Sequence, residues 1–273
     1  TITGELDAAT LDISGDVDID GTTNLDAVDI DGAVDMASTL QVDGALTTSS
    51  TINTLGISGS KTNFVGSMII SNDAGTGTLD AASDNTGFGH EVFDDLTTGD
   101  GNTGIGHESL SKLTTGSSNT AVGDVSLQNN TTGVFNTAVG KCSLDTNTEG
   151  NCNVAVGALA LNKNTTGDFN VAVGFCSLRC VTTGDNNTGI GAFALNKNTG
   201  NTNTAVGKST LACNTTGSSN VALGNSMETN TTGSDNTAVG GGALQANTTA
   251  SANTAVGRLA LTGNTTGASN AAV

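Results

Sequence analysis

Two histidines stand seventeen residues apart, His90 and His107, and each is followed by a glutamate, Glu91 and Glu108. Imidazole and carboxylate are donors that hold zinc and other transition metals. If successive copies of the surrounding sequence stack one strand spacing apart, the two rings lie ~5 Å from each other. In a trimer each would become a ring of three. The pair is therefore a metal candidate, set against the plainer reading of two surface histidines in a drifting repeat. A second candidate is the acidic run Asp16-Val17-Asp18-Ile19-Asp20-Gly21, which opens like a calcium-binding loop with Asp16, Asp18 and Asp20 as ligands. Its twelfth position is Ala27 where such a loop needs a glutamate, and no helical pattern flanks it. Alternating, solvated aspartates on a strand account for it more simply.

Catalytic chemistry finds little to work with. Neither histidine has a nucleophile beside it in the repeat frame, and no glycine-rich phosphate loop follows a long strand. A carbohydrate-cleaving solenoid needs paired carboxylates in a groove and aromatic platforms for sugar rings. This chain has no Trp and no Tyr. The expectation is no enzyme, no catalytic residue and no cofactor. The five cysteines are an odd number. Cys142 and Cys176 share one slot two copies apart, as do Cys180 and Cys213, which on a stack separates them by ~9.5 Å, too far for a bridge. They read as small buried hydrophobes, with links between chains of an oligomer as the alternative.

These side chains are positioned by a repeat. Asn-Thr/Val-small-apolar-Gly recurs at Asn85, Asn102, Asn119, Asn136, Asn153, Asn170, Asn187, Asn203, Asn220, Asn236, Asn253 and Asn270, in steps of seventeen residues with two of sixteen. A unit so short cannot fold alone and must stack on its neighbours. One copy reads Asn119-Thr-Ala-Val-Gly123-Asp-Val-Ser-Leu127-Gln-Asn-Asn-Thr-Thr-Gly133-Val-Phe135. Thr-Ala-Val favours a short strand, and the glycine after it permits a bend or the close approach of another backbone. A second short strand is expected up to Leu127. Asn-Thr-Thr-Gly closes the coil, with Gly133 as a positive-φ residue and asparagines capping turn amides. Only one turn glycine is replaced, by Ala250. The apolar ladder is expected to consist of Val122, Val139 and Val156 with Leu127, Leu144 and Leu161, and of Gly123, Gly140 and Gly157 at the bends. The copy beginning at Asn220 is a residue short, so that Met227 slides into the leucine slot.

The rest of the chain differs. Residues 1–50 alternate apolar and polar with glycines at 21, 32 and 44, the pattern of short strands with one wet face. Residues 51–84 form a connector rich in Ser, Thr, Gly and Asn, with a strand expected around Phe64–Ile70. Net charge is −18, and residues 1–84 carry 14 acidic residues against Lys61 alone. That acidity argues against nucleic acid as a partner. No stretch is long and apolar enough for membrane insertion. The repeat breaks off at Asn270-Ala-Ala-Val273 and the chain does not open with Met, so the sequence reads as a segment of a longer protein.

The run Asn-Thr-Ala-Val-Gly…Ala-Leu…Asn-Thr-Thr-Gly over 85–273 resembles repeats of phage tail fibres and related trimeric fibre proteins. It is similar, more loosely, to the Ser-Val-Ala-Ile-Gly rungs of trimeric autotransporter adhesin heads. The Asp-Gly punctuated strands of 1–50 resemble shaft repeats of marine phage fibres. The resemblance implies a homotrimer placed in the virion tail, outside the cell, with other tail or fibre proteins as partners and a host cell-surface glycan or protein as target. The alternative is a bacterial trimeric surface adhesin or extracellular filament.

The sequence therefore predicts an all-β, fibrous homotrimeric β-solenoid or β-roll with 17-residue rungs over 85–273, preceded by an acidic strand-repeat segment. Each rung carries only two apolar anchors, Val and Leu. That is thin for a single-chain core, and three chains about one axis would cover the exposed side.

Overall fold

The computed structural model describes residues 56–58, 68–71 and 82–273, which belong to one compact unit, Thr48–Val273. The acidic repeat of residues 1–50, with Asp16, Asp18 and Asp20, lies outside the described residues. Strand β1 (Gly56–Ser58) pairs antiparallel with β2 (Met68–Ser71), which overlaps the strand expected in the connector. From there every strand is parallel to the one before, and each repeat copy supplies one. They are β3 (Thr86–Phe88), β4 (Thr103–Ile105), β5 (Thr120–Val122), β6 (Thr137–Val139), β7 (Val154–Val156) and β8 (Val171–Val173), then β9 (Thr188–Ile190), β10 (Thr204–Val206), β11 (Val221–Leu223), β12 (Thr237–Val239), β13 (Thr254–Val256) and β14 (Ala271–Ala272). Sheet order follows chain order throughout. Equivalent residues face each other, Thr120 opposite Thr137 and Ala121 opposite Ala138. Residues 85–273 thus form a parallel β-solenoid, all-β, with no helix among the described residues. At one strand spacing per coil its length is roughly 50 Å.

The interior is not the one expected. In a three-residue strand the middle side chain faces one way and its neighbours the other. Here the middle residue points in: Ala121, Ala138 and Ala155 are fully buried, whereas Val139 and Val156 are 37% exposed and Val122 is half-buried. The valines form an outer column, not a core ladder. Leu127, Leu144 and Leu161 do lie in the core, fully buried, as does Met227 in the shortened copy. The pairing of β11 with β12 stays in register across that shortening. The coil is too narrow for a larger inward residue on the strand. Where Val92 and Phe93 enlarge the filling of the first coil, the strand residues facing them are Gly87 and Gly104, and a Cβ on either would lie 2.9 Å from Val92 Cγ1.

The second strand expected before Leu127 is instead a turn. Val125 and Leu127 both adopt left-handed backbone angles (φ 58° and 51°), and the pattern recurs in the neighbouring coils, at Leu144 (φ 49°) and Leu161 (φ 48°) for instance. Left-handed backbone costs an L-residue roughly 1–2 kcal/mol. Bonding around the whole perimeter offsets it: Val125 N–H donates back to His107 O (2.9 Å), and Leu127 N–H donates forward to Ser143 O (3.0 Å). The turn glycines have a different role from the one expected, since Gly133 has no positive φ; Phe135 does (φ 57°). Gly133 is required by crowding, because an added Cβ would meet Asn130 Oδ1 at 2.4 Å and Gly150 O at 2.5 Å. Gly123, Gly140 and Gly157 carry φ of 142°, 133° and 129°. A Cβ at Gly123 would lie 2.6 Å from Gly140 O, as the close-approach reading requires.

Two columns of asparagine complete the interior. The N–H of each Asn from Asn102 to Asn270 that opens a copy donates to Oδ1 of the Asn opening the copy before, at 2.9–3.0 Å in eleven unbroken steps. Their side-chain amides also reach turn carbonyls, as Asn119 Nδ2 does to Gly133 O (2.9 Å). These asparagines are fully buried from Asn85 to Asn253. A second column runs through the closing turns, Asn147 Nδ2 donating to Asn130 Oδ1 (2.8 Å) and Asn164 Nδ2 to Asn147 Oδ1 (2.8 Å). A buried amide is costly unless bonded, and here the copy beside it supplies the partner, except at Asn164, whose buried Oδ1 has none. The coil therefore fills and satisfies its own interior within one chain. The asparagine columns add to the thin apolar filling of each rung.

Candidate functional site

The turn after each strand carries a column of outward side chains, and its first four members are all ionisable: His90, His107, Asp124 and Lys141. The αL turns hold them one above the next, and Glu91 (φ 53°) and Glu108 (φ 52°) form the adjoining column. The sequence brings His90 and His107 together as expected: their rings stack with centroids 5.3 Å apart and planes 19° from parallel. On the glutamate side, His90 Nδ1 lies 3.6 Å from Glu91 Oε1 and His107 Nε2 lies 3.7 Å from Glu108 Oε1. Both separations exceed a hydrogen bond, and His90 Nδ1 is buried with no hydrogen-bond partner.

Asp124 and Lys141, which no motif singles out, occupy the histidine slot in the next two copies. Asp124 Oδ1 is 3.0 Å from His107 Nδ1, and Lys141 Nζ donates to Asp124 Oδ2 at 2.7 Å. The hydrogen bond from Lys141, then that with His107, holds the Asp124 carboxyl below its ordinary range. The same contact raises the Lys141 ammonium. Glu108 is engaged from the other side by Gln128 Nε2.

The five cysteines are free thiols. Burial pushes the Cys142 and Cys176 thiols up, away from reactive thiolate. Asn130, Asn164, Asn214, Asn230 and Asn247, which match a glycosylation sequon, are fully buried in the second asparagine column and are structural.

On the sheet face, Phe88, Ile105, Val139, Val156, Ile190 and Val256 leave an exposed apolar column. The residue missing from the Asn220 copy leaves a shallow, open depression of about 420 Å³ lined by Asn225, Glu228, Gly241, Gly242, Gln245, Arg258 and Leu259. Nowhere between Asn85 and Val273 does a coil widen into a loop that could wall a cleft. No protein-family profile, curated protein or solved structure matches this chain.

Proposed function

We propose that this chain is a structural and adhesive segment of a phage tail fibre, a homotrimer that spaces and presents a host-receptor-binding tip. The observation that carries the proposal is the uninterrupted stack: the strands from β3 to β14 share one parallel register, with every coil sixteen or seventeen residues long. Such a body fixes a length and transmits load along its axis, because backbone hydrogen bonds around the coil perimeter run from each coil to the next. Among the described residues it offers no walled groove in which a substrate is desolvated, which supports a mechanical role over a hydrolytic one. The exposed Phe88-to-Val256 column supports side-by-side packing of copies. Its regular spacing gives each chain the same apolar edge to share about a common axis.

The test is immunogold electron microscopy with antibody raised against the purified chain, applied to both lysates and intact cells of the source culture. Gold on the tails of virus particles is the expected result. Gold confined to the bacterial envelope overturns the phage assignment in favour of a surface adhesin.

A further inference from the structure

We infer that His90, Glu91 and His107 form a binding site for a single transition-metal ion of the zinc type, clamping the first coil to the second. One donor atom from each residue lies within 4.8 Å of the others. Two imidazoles and a carboxylate are the ligand set of an open, three-residue zinc site with a fourth position left to water. Tetrahedral bonds of ~2.0–2.1 Å bring such donors to about 3.4 Å from one another. The two rings must therefore lean together, and the side chains of His90 (41% exposed) and Glu91 (33%) are free enough to do so.

Three features go beyond proximity. First, the nitrogens that face the glutamate column are His90 Nδ1 and His107 Nε2, and the former is a buried ring nitrogen without any hydrogen-bond partner. A buried polar atom left unbonded is uncommon in folded chains, and a metal ion is one partner that would satisfy it. Second, the opposite nitrogen of His107, Nδ1, is already held by Asp124, itself fixed by Lys141. Carboxylate–histidine–metal is the arrangement by which an outer carboxylate sets the tautomer and orientation of a ligating imidazole. It leaves the Nε2 lone pair, on the side of the glutamate column, free to bind an ion. Third, the donors come from two successive coils, so an ion would tie together segments separated by a full turn of the solenoid. Nitrogen ligands select against magnesium and calcium, which take oxygen donors. Asp124 acts as a positioning residue here and does not touch the ion.

The test uses the full chain, stripped of metal and titrated with cobalt(II) chloride, whose visible spectrum distinguishes nitrogen and oxygen ligands from thiolate. The expected result is one cobalt per chain, with d–d bands typical of four or five ligands, no thiolate charge-transfer band, and displacement by zinc chloride. His90→Ala and His107→Ala each weaken binding at least about tenfold, and Asp124→Asn weakens it about 10–100-fold and alters the d–d envelope. Circular dichroism melts in EDTA check that every variant keeps the wild-type stack. Absence of a d–d spectrum, or a spectrum dominated by thiolate and undiminished in His90→Ala/His107→Ala, overturns the site. Unchanged affinity in Asp124→Asn overturns the role given to that carboxylate.

Discussion

At the scale of single residues, asparagine carries this molecule. The second asparagine column breaks where Val181 takes the slot, and the break has a cost that can be seen: Asn164 Oδ1, which would accept from the next asparagine, is buried and has no partner. An unsatisfied buried acceptor costs about 1–3 kcal/mol. Val181→Asn supplies the missing donor at nearly unchanged volume. The expected outcome is a gain of about 1 kcal/mol, read as a melting temperature higher by about 2–4 °C. A lower melting temperature in circular dichroism would show that the column does not set stability. The sequence carries a sign of this column. The same slot is filled by Leu96, Leu113 and Val181 in some copies and by asparagine in others. A slot that exchanges leucine for asparagine is an interior slot, because an exposed turn cap gains nothing from leucine.

At the scale of the strand and turn, the coil period and the leucine slot were legible, and so was the parallel stacking. The direction of the strand was not. By size the valine is the natural anchor, yet the inward residue is Ala or Gly at every copy, from Gly87 to Ala272. That restriction to the two smallest residues marks confinement. The neighbouring slot varies among Phe, Ile, Val and Leu, as a face without a fixed partner does. The left-handed turn at Val125 and Leu127 was not legible at all, because neither residue type favours positive φ and only perimeter hydrogen bonding selects it. The outward valines now bear the argument for association. Light scattering is expected to give three times the 26.7 kDa chain mass for the wild type. Val139→Lys/Val156→Lys should leave the fold intact, since both positions are 37% exposed, while reducing the particle to one chain. A wild-type monomer, or a trimer indifferent to the two lysines, contradicts packing through this column.

At the scale of the whole solenoid, stability is a sum of near-identical coils and the contacts between them. No coil has a core of its own. Ala and Leu supply apolar burial, while the asparagine columns satisfy the polar groups that such a narrow interior cannot exclude. The same continuity suits a spacer, because length is set by copy number and not by packing against another domain. The central claim is that one chain stacks around a dry, hydrogen-bonded asparagine column. Its most direct test is side-chain amide hydrogen exchange, followed by NMR on protein labelled with ¹⁵N at asparagine. The account predicts that the Nδ2 protons of Asn136, Asn153 and Asn170 exchange orders of magnitude more slowly than those of exposed Asn201. Equal rates at these positions would contradict it.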